Sequence, residues 1–250
     1  LSAAFPFLDY YDVDIPLPLR FAARTGLGLL GRCRVDSADA CVAAIEALAS
    51  PWELDPQPIP LRVLELRPDV DPALRPPTKI QARYARAEYA LSLEPFRAFE
   101  IALAGILHRF DPDLILTDYG DTWLLPKLTL NPNRDPTRDA LTRKAESYFA
   151  YGQVVYRGAQ VHLFGRWHID RKNAMLFNEY GLEGVLEQAR VTRLGVQEMA
   201  RKSPGAGITA MQMLTALRTG VLVPLVKQQA EDTKTLDELI RADKGGMIYQ

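Results

Sequence analysis

The chain has 250 residues, enough for one large domain or two smaller ones with a buried core. Its 48% hydrophobic and 24% charged residues are an ordinary globular composition, and its formal net charge of −1 argues against a tight freestanding DNA binder, which is usually basic. No stretch approaches the length of a transmembrane helix and no signal segment is recognisable, so no membrane partner is expected.

Charge is distributed unevenly along the chain. Acidic residues concentrate in 9–14 and 111–121 and basic ones recur over 134–201, which fits either a local basic face or an ordinary mixed surface. Cys33 and Cys41 are the only cysteines, and their spacing matches neither a zinc site nor a redox pair. A reducing compartment fits them best, so the predicted location is cytoplasmic.

Residues 1–58 are predicted to form an N-terminal segment. Pro16 and Pro18 favour an extended path at its start. Ser37 is predicted to cap a helix whose apolar face consists of Ala40, Cys41, Ala44, Ile45 and Leu48. The proline-rich stretch 50–60 then links this segment to the next domain.

Residues 59–190 are predicted to form an α/β domain. LRVLEL at 61–66 and LILT at 114–117 are short apolar runs typical of core strands, and the alternation over 78–93 predicts extended chain. Between them Pro95 marks a helix start, and this helix should bury Phe96, Phe99, Leu103, Ile106, Leu107 and Phe110.

The second half of this domain carries weaker signals. The polar run over 131–143, with two prolines, predicts an exposed loop. QVVY and AQVHLF, on either side of Arg157 and Gly158, predict a hairpin.

Residues 191–250 are predicted to form a helical connector. SPGAG at 203–207 ends one helix, and Gly220 is the expected C-cap of the next. The second helix should bury a stripe of Ile208, Met211, Leu214 and Leu217. The chain starts at Leu1 and stops on DKGGMIYQ, a Gly-Gly turn that enters a strand, and both features indicate a piece of a longer protein.

The connector resembles the segment that joins the exonuclease domain to the palm in family B DNA polymerases. The matching phrases, in order, are ARVTRL at 189–194, SPG at 203–205, LRTGVLVP at 217–224 and the glycines at 245–246. DVDIPLPLRF at 12–21 and GRWHID at 165–170 resemble other phrases of this family. The resemblance implies a ribonuclease-H-like mixed sheet flanked by helices over 59–190, with a polymerase palm after residue 250.

The exonuclease of this family holds two divalent metal ions with carboxylates from three motifs. In the first motif, D-x-E, alignment puts Arg67 at the aspartate and Asp69 at the glutamate. In the second, Tyr119 stands at the asparagine and Leu124 at the catalytic aspartate, and the third motif has no counterpart. The resemblance therefore implies an exonuclease fold without catalytic residues and without a cofactor, since Mg²⁺ is expected only in the palm.

Neighbouring carboxylates leave an alternative open, an active metal-dependent 3′-5′ exonuclease. Its displaced ligands would be Asp69, Asp71, Asp118 and Asp121. Ordinary turn or cap roles are the other interpretation of these aspartates. Structural roles are also expected of the three histidines, His108, His162 and His168, which lack paired ligand spacing.

Basic residues near the start of the connector are candidates for phosphate contacts. They are Arg190, Arg193, Arg201 and Lys202, followed by Ser203 at a helix start. A solvated helix face explains them equally well, and the resemblance favours weak, sequence-independent binding of primer–template DNA. The predicted function is a non-catalytic scaffold for the polymerase palm of the same parent chain. A freestanding interaction module is a further alternative.

Overall fold

The structure is a computed structural model that describes residues 4–128, 142–150, 153–163, 165–224 and 235–237. Within these residues the protein is a mixed α/β structure. Its six helices are α1 (Leu17–Thr25), α2 (Phe96–Phe110), α3 (Leu125–Leu128), α4 (Met175–Thr192), α5 (Val196–Met199) and α6 (Pro204–Thr219). Its strands are β1 (Cys33–Ala38), β2 (Cys41–Ala47), β3 (Val63–Pro68), β4 (Lys79–Tyr84), β5 (Ala87–Ser92), β6 (Leu114–Thr117), β7 (Thr142–Arg143), β8 (Glu146–Ala150), β9 (Gln153–Arg157), β10 (Gln160–Val161) and β11 (Trp167–Asp170).

Five strands form the central sheet in the order β11-β6-β3-β4-β5. β11, β6 and β3 run parallel to one another, whereas β4 runs antiparallel to both β3 and β5. The sheet is therefore a three-strand antiparallel meander extended on one side by two parallel strands. This topology brings the carboxyl ends of β3, β6 and β11 to the same edge.

Both faces of the sheet bury apolar side chains. On one face, the alternate residues of β3 and β4 pack against α2 through Leu64, Leu66, Ile80, Phe99 and Leu103. On the other face, β6 and β11 meet α1, α4, α5 and α6 through Leu19, Leu114, Leu116, Ile169, Leu176, Val185, Met199 and Ala210. Each fully buried Val, Leu, Ile, Phe or Met side chain contributes about 1.5–3 kcal/mol, so apolar packing stabilises both faces of the sheet.

Helix boundaries follow the predicted turn residues. α2 begins after Pro95 and ends at Asp111, whose backbone N–H donates to the carbonyl of Leu107. α6 begins after Ser203 and ends at Gly220, whose φ of 75° lies in the left-handed region that glycine adopts without strain. The predicted start of α2 and the predicted end of α6 are confirmed. SPGAG was expected to break a helix, but residues 204–207 form the first turn of α6.

The buried face of α6 differs from the predicted stripe. Ile208 is 58% exposed, and the residues that point inward are Gly207, Ala210 and Leu214. A Cβ added at Gly207 would lie 2.9 Å from Cγ2 of Thr192 in α4. The two helices thus approach so closely that small residues, rather than large apolar ones, form the contact.

The helix predicted after Ser37 is wrong, because the segment is an antiparallel hairpin of β1 and β2. Its turn residues Asp39 and Ala40 have φ of 50° and 61°, the backbone that matches the twist of a two-residue hairpin. Arg34 and Glu46 pair across the strands at 2.8 Å. Apolar residues spaced like a helix misled the prediction, since both strands are almost entirely exposed and bury no face.

The hairpin predicted around Arg157 and Gly158 is also wrong in its pairing. β9 pairs with the preceding β8, and β10 pairs with β7. The predicted strands exist in part, but each has a partner upstream in the chain. Alternation of residue types indicates where a strand lies, but not which strand it pairs with.

Some predictions fall outside the described residues. The strand after Gly245 and Gly246 does so entirely, and the loop over 131–143 does so except for its last two residues, which form β7. Among the residues that the structure describes, no helix combines the length and apolarity needed to cross a membrane.

The beginning of the chain meets its later part. The backbone N–H of Asp12 donates to the carbonyl of Val223 at 2.8 Å, and the N–H of Val223 donates to Oδ1 of Asp12 at 2.9 Å. Arg218 of α6 donates to the carbonyl of Ala22 in α1. These contacts fasten residues 12–22 to the end of α6 and the residues just after it.

Candidate functional site

Charged side chains gather on β3 and β4 and beside the ends of β6 and β11. We call Glu65, Arg67, Arg83, Asp118 and Arg171 the arginine–carboxylate cluster. Ligand sites of open α/β sheets form beyond the carboxyl ends of their parallel strands. The cluster reaches that edge through Asp118 and Arg171 and is the first candidate site.

Guanidinium groups hold both carboxylates of this cluster. Glu65 accepts hydrogen bonds from Arg67 at 2.9 Å, Arg83 at 2.7 Å and Arg171 at 2.8 Å. Nε of Arg171 also donates to Asp118 at 2.7 Å. Partial burial pushes the pKa of Glu65 upwards, but the hydrogen bonds from Arg171 and Arg83 outweigh it and hold that pKa below its usual value. Glu65 is thus an ionised carboxylate whose oxygens are already occupied.

The predicted displaced carboxylates do not converge. Asp69 lies in an exposed turn and accepts from the N–H and the hydroxyl of Thr78 at 3.0 and 2.7 Å. Asp71 accepts from the backbone of Ala73 and from the Tyr119 hydroxyl, each at 2.8 Å. Among the residues that the structure describes, no group of three or more His, Cys, Asp or Glu side chains could hold a metal ion.

The three aligned motif positions have separate environments. Arg67 belongs to the arginine–carboxylate cluster. Tyr119 has the left-handed φ of 63° and directs its hydroxyl to Asp71. Leu124 is fully buried in the apolar cluster beneath α2. A carboxylate at position 124 would therefore lie in the apolar core in this conformation.

Asp121 belongs to a different group, a network enclosed by the protein. We call Thr117, Asp121, His168, Asp170 and Arg201 the buried polar network. Arg201 donates to both carboxylate oxygens of Asp121, with Nε to Oδ2 at 3.0 Å and Nη2 to Oδ1 at 2.9 Å. The backbone of Val161 and the side chain of Asn173 donate to the same two oxygens at 2.8 and 2.7 Å. Burial raises the pKa of Asp121, but the hydrogen bonds and charge of Arg201 outweigh it and leave that pKa below its usual value.

His168 is the neutral member of this network. Its Nδ1 lies 2.6 Å from the carbonyl of Val161 and its Nε2 lies 2.8 Å from the hydroxyl of Thr117. A carbonyl can only accept, so Nδ1 carries the proton and Nε2 accepts from Thr117. Burial, with the nearby charge of Arg201, lowers the pKa of His168 to about 4.

Asp170 completes the network at the end of β11. It accepts from the backbone N–H groups of Tyr119, Asp121 and Lys172 at 3.0, 2.9 and 3.0 Å. Burial raises its pKa above the usual value. The carboxylate thereby fixes the backbone that follows β6 and is unavailable to a metal ion in this arrangement.

The predicted structural role of the histidines holds for His168 only. His108 lies exposed on α2. Nε2 of His162 is enclosed and has no hydrogen-bond partner among the described residues. Burial also lowers the pKa of His162.

Of the predicted DNA-contacting residues, Arg190 has an internal role. Its guanidinium donates to the carbonyls of Ser50, Pro51 and Glu53 at 3.1–3.2 Å. Its Nε and Nη2 also donate to the two carboxylate oxygens of Glu187 at 2.7 and 2.6 Å. Arg190 therefore ties residues 50–53 to α4.

The other members of that set divide between interior and surface. Arg193 is 2% exposed, and the side chain of Arg201 is 1% exposed. Lys202 is half-buried and pairs with Glu198, and Ser203 is exposed before α6. DNA contact at these residues stays a prediction, and in this conformation Lys202 and Ser203 are the accessible members.

Sequence reasoning missed Glu65, Arg83 and Arg171. A glutamate in the middle of an apolar strand, at LRVLEL, was the available signal, since a charge there needs a partner. Nothing in the sequence named the partner, because Arg171 lies 106 residues further on.

A scan against protein-family models and a search of curated protein sequences gave no match to this chain. Among solved structures, the fold is similar to that of the family B DNA polymerase from the hyperthermophilic archaeon Pyrobaculum calidifontis, with a TM-score of 0.57 and 16% sequence identity. The alignment covers 90% of this chain and 38% of that polymerase. The chain therefore has a fold related to part of a family B DNA polymerase and spans well under half of its length.

Proposed function

We propose that this chain is a non-catalytic, exonuclease-like part of a family B DNA polymerase, which positions the polymerase palm and contacts primer–template DNA. The meander of β5, β4 and β3, extended by parallel β6 and β11, is the topology expected of a ribonuclease-H-like domain. Together with the related fold and the ordered sequence phrases, this topology supports the exonuclease-like assignment.

The observation that carries the non-catalytic part of the proposal is the pairing of every cluster carboxylate with an arginine. Two-metal nucleases need several carboxylate oxygens free to bind hard cations. Here Glu65 and Asp118 bond to guanidinium groups, and Asp121 is enclosed with Arg201. A metal ion would have to displace arginines from each of these groups.

The proposed DNA binding relies on contacts to the phosphate backbone, which do not depend on the DNA sequence. Lysine and arginine contacts to backbone phosphates release counterions, so such binding weakens steeply as salt rises. We therefore expect weak binding of primer–template DNA that falls by at least about tenfold between roughly 50 and 200 mM salt. Fluorescence anisotropy with two unrelated DNA sequences measures both the affinity and its indifference to sequence.

A nuclease assay tests the non-catalytic assignment. The chain is incubated with a 3′-labelled single strand and Mg²⁺ or Mn²⁺, beside samples with chelator and with an active family B exonuclease. We expect no nucleotide release above the chelator sample. Metal-dependent release would instead establish an active exonuclease, and its loss in an Asp121→Ala variant shown to be folded by circular dichroism would identify Asp121 as one of its displaced ligands.

A further inference from the structure

The two edges of the central sheet differ in how their backbone groups are satisfied. At the β11 edge, two side chains bond to the outward backbone of His168. Oε1 of Gln197 accepts from its N–H at 2.8 Å, and Nη1 of Arg201 donates to its carbonyl at 3.1 Å. At the β5 edge, among the residues that the structure describes, no strand or side chain bonds to the outward backbone groups. An open edge of this kind is a template for pairing with a further strand.

Hydrogen bonds beside β4 identify the outward residues of β5. The N–H of Leu93 donates to the carbonyl of Thr78 at 2.9 Å and continues the ladder between β4 and β5. In an antiparallel pair, residues that bond to the neighbouring strand alternate with residues that face away from it. The N–H and C=O groups that face outwards are therefore those of the even-numbered residues Glu88, Ala90 and Ser92. These three are also the exposed residues of the strand.

The β5 edge lacks the features that commonly protect an open edge. Its pairing with β4 is regular from Ala87 to Ser92, without a bulge, and the strand contains neither lysine nor proline. The hairpin of β1 and β2 differs, because its register shifts beside Asp36. The β5 edge is therefore regular, exposed and open to a partner strand.

Charge complementarity favours a second copy of this chain as the partner. Outward residues have to face outward residues, so two antiparallel β5 strands can pair in few registers. With the twofold axis at Ala90, Arg86 of one copy lies opposite Glu94 of the other at each end of the paired strands. Both residues are exposed, and among the described residues neither side chain forms an ion pair. Opposite charges directly across a strand pair stabilise it, and like charges destabilise it.

The neighbouring registers match less well. An axis at Leu91 sets Glu88 against Glu94, a repulsive pair, and an axis at Tyr89 brings no opposite charges together. Axes further from the strand centre pair fewer residues. The axis at Ala90 also sets Tyr89 against Leu91 of the second copy, on the face that packs against α2. Both side chains are half-buried there, so the pairing extends the apolar layer of the sheet.

We propose that this chain forms a twofold homodimer in which the two β5 strands pair antiparallel about Ala90 and join the central sheets into one. The dimer does not depend on the proposed function, and its failure would leave that function untouched. Strand pairing of this length buries less than a standard interface, so we expect a dissociation constant on the order of 10 μM. Because the pairing uses the β5 edge of both copies, assembly stops at the dimer.

Sedimentation velocity of the whole chain from about 1 to 100 μM tests the dimer. We expect the wild type to pass from monomer to dimer across this range. Ala90→Lys sets two lysines against each other at the axis and should weaken dimerisation by at least about tenfold. Gln81→Lys is the matched control, since Gln81 lies beside Ala90 on β4. It adds the same charge to the same sheet face one strand further in and should dimerise like the wild type.

Charge reversal tests the partner and the register. Ala90→Lys and Ala90→Glu should each be mainly monomeric, and an equimolar mixture should recover the dimer, because opposite charges then face each other at the axis. Arg86→Glu and Glu94→Arg should each weaken the dimer by about threefold or more. The variant that carries both reversals should recover the wild-type affinity.

Three results would overturn the proposal. A wild type that stays monomeric at about 100 μM would leave the open edge to a strand of a different protein. Equal effects of Ala90→Lys and Gln81→Lys would place the contact away from the β5 edge, and so would larger species that persist in Ala90→Lys. Both substituted residues are exposed, so the variants should keep the fold, which circular dichroism checks.

Discussion

The arginine–carboxylate cluster and the buried polar network use the same chemical groups in opposite surroundings. In the cluster, Arg67 and Arg83 are 46% and 47% exposed around Glu65. In the network, the side chains of Arg201 and Asp121 are 1% and 0% exposed. Water screens the first pair of groups and is excluded from the second, so equal distances between charges imply unequal energies.

This difference indicates that the two groups have different roles. Removing one partner of a buried ion pair strongly destabilises the fold, because the remaining charge cannot reach water. An exposed pair costs little to break, because water replaces the partner. The network is thus a structural element of the core, and the cluster is the group of charges that a ligand can reach.

The largest expected effect is that of Arg201→Met. The variant leaves Asp121 ionised and enclosed, and it should lower the free energy of unfolding by about 3–5 kcal/mol. Urea unfolding followed by circular dichroism measures it. The double variant Arg201→Met with Asp121→Asn should recover part of the loss, and a single-variant loss below about 1 kcal/mol would place this pair with the exposed ones.

The second prediction concerns pH and His168. Its pKa of about 4 in the folded protein lies below the value near 6.5 expected when unfolded. As pH falls below about 6.5, the unfolded chain binds the proton first, so stability is lost progressively down to about pH 4. The loss should approach about 3 kcal/mol, partly offset by Asp170, whose raised pKa acts in the opposite direction.

Urea titrations at several pH values, with two asparagine variants, test the assignment to His168. His168→Asn should weaken the dependence between about pH 4 and 6.5 and leave only the part due to His162, whose pKa burial also lowers. His108→Asn, at an exposed position, should leave the dependence unchanged. An undiminished dependence in His168→Asn would contradict the assignment to His168.

A smaller effect is expected at the centre of the cluster. Glu65→Gln removes the charge that three arginines share and should cost about 1–2 kcal/mol, less than Arg201→Met because solvent screens the remaining charges. Its loss should shrink in concentrated salt, whereas that of Arg201→Met should not. Equal salt dependence of the two variants would remove the distinction between the groups.

The smallest effect is expected at the rim of the cluster. Arg83 keeps about half of its side chain in water and, among the residues that the structure describes, donates to Glu65. Arg83→Gln should therefore change the melting temperature only slightly at low salt and not at all at high salt. A thermal scan at two salt concentrations suffices, and a large loss at both would mean that Arg83 also supports the fold.

How far the sequence predicted the fold depended on whether a feature was local. β6 and α2 were recognisable from local patterns. β6 is a short run of four residues that are all buried, and α2 carries its apolar residues at regular helical spacing. The β1–β2 hairpin was not, since alanine-rich chain with a helical spacing of apolar residues folds into exposed strands. Strand partners were equally out of reach, as β9 and β10 demonstrate.

The candidate site divides in the same way. The alignment of Arg67 and Leu124 with carboxylate positions of the family motifs stays a prediction from the resemblance. Glu65 was missed, although an isolated charge in an apolar strand was a signal for it. The partnership of Asp121 with Arg201 joins residues 80 positions apart, and no spacing rule reaches that far. For the same reason Arg190 and Arg193 were interpreted as surface residues, because sequence does not reveal which arginines a fold encloses.

The contact between α1 and the end of α6 bears on how the chain acquires its structure during synthesis. Ala22 and Arg218 lie 196 residues apart. A ribosome that adds about 5–20 residues each second therefore synthesises Arg218 roughly 10–40 seconds after Ala22. During that interval Leu19, which ends fully buried, has not met its partners from the connector. Within the residues described, α1 is therefore synthesised well before the helix it packs against, and it reaches its final packing only after α6 has been made.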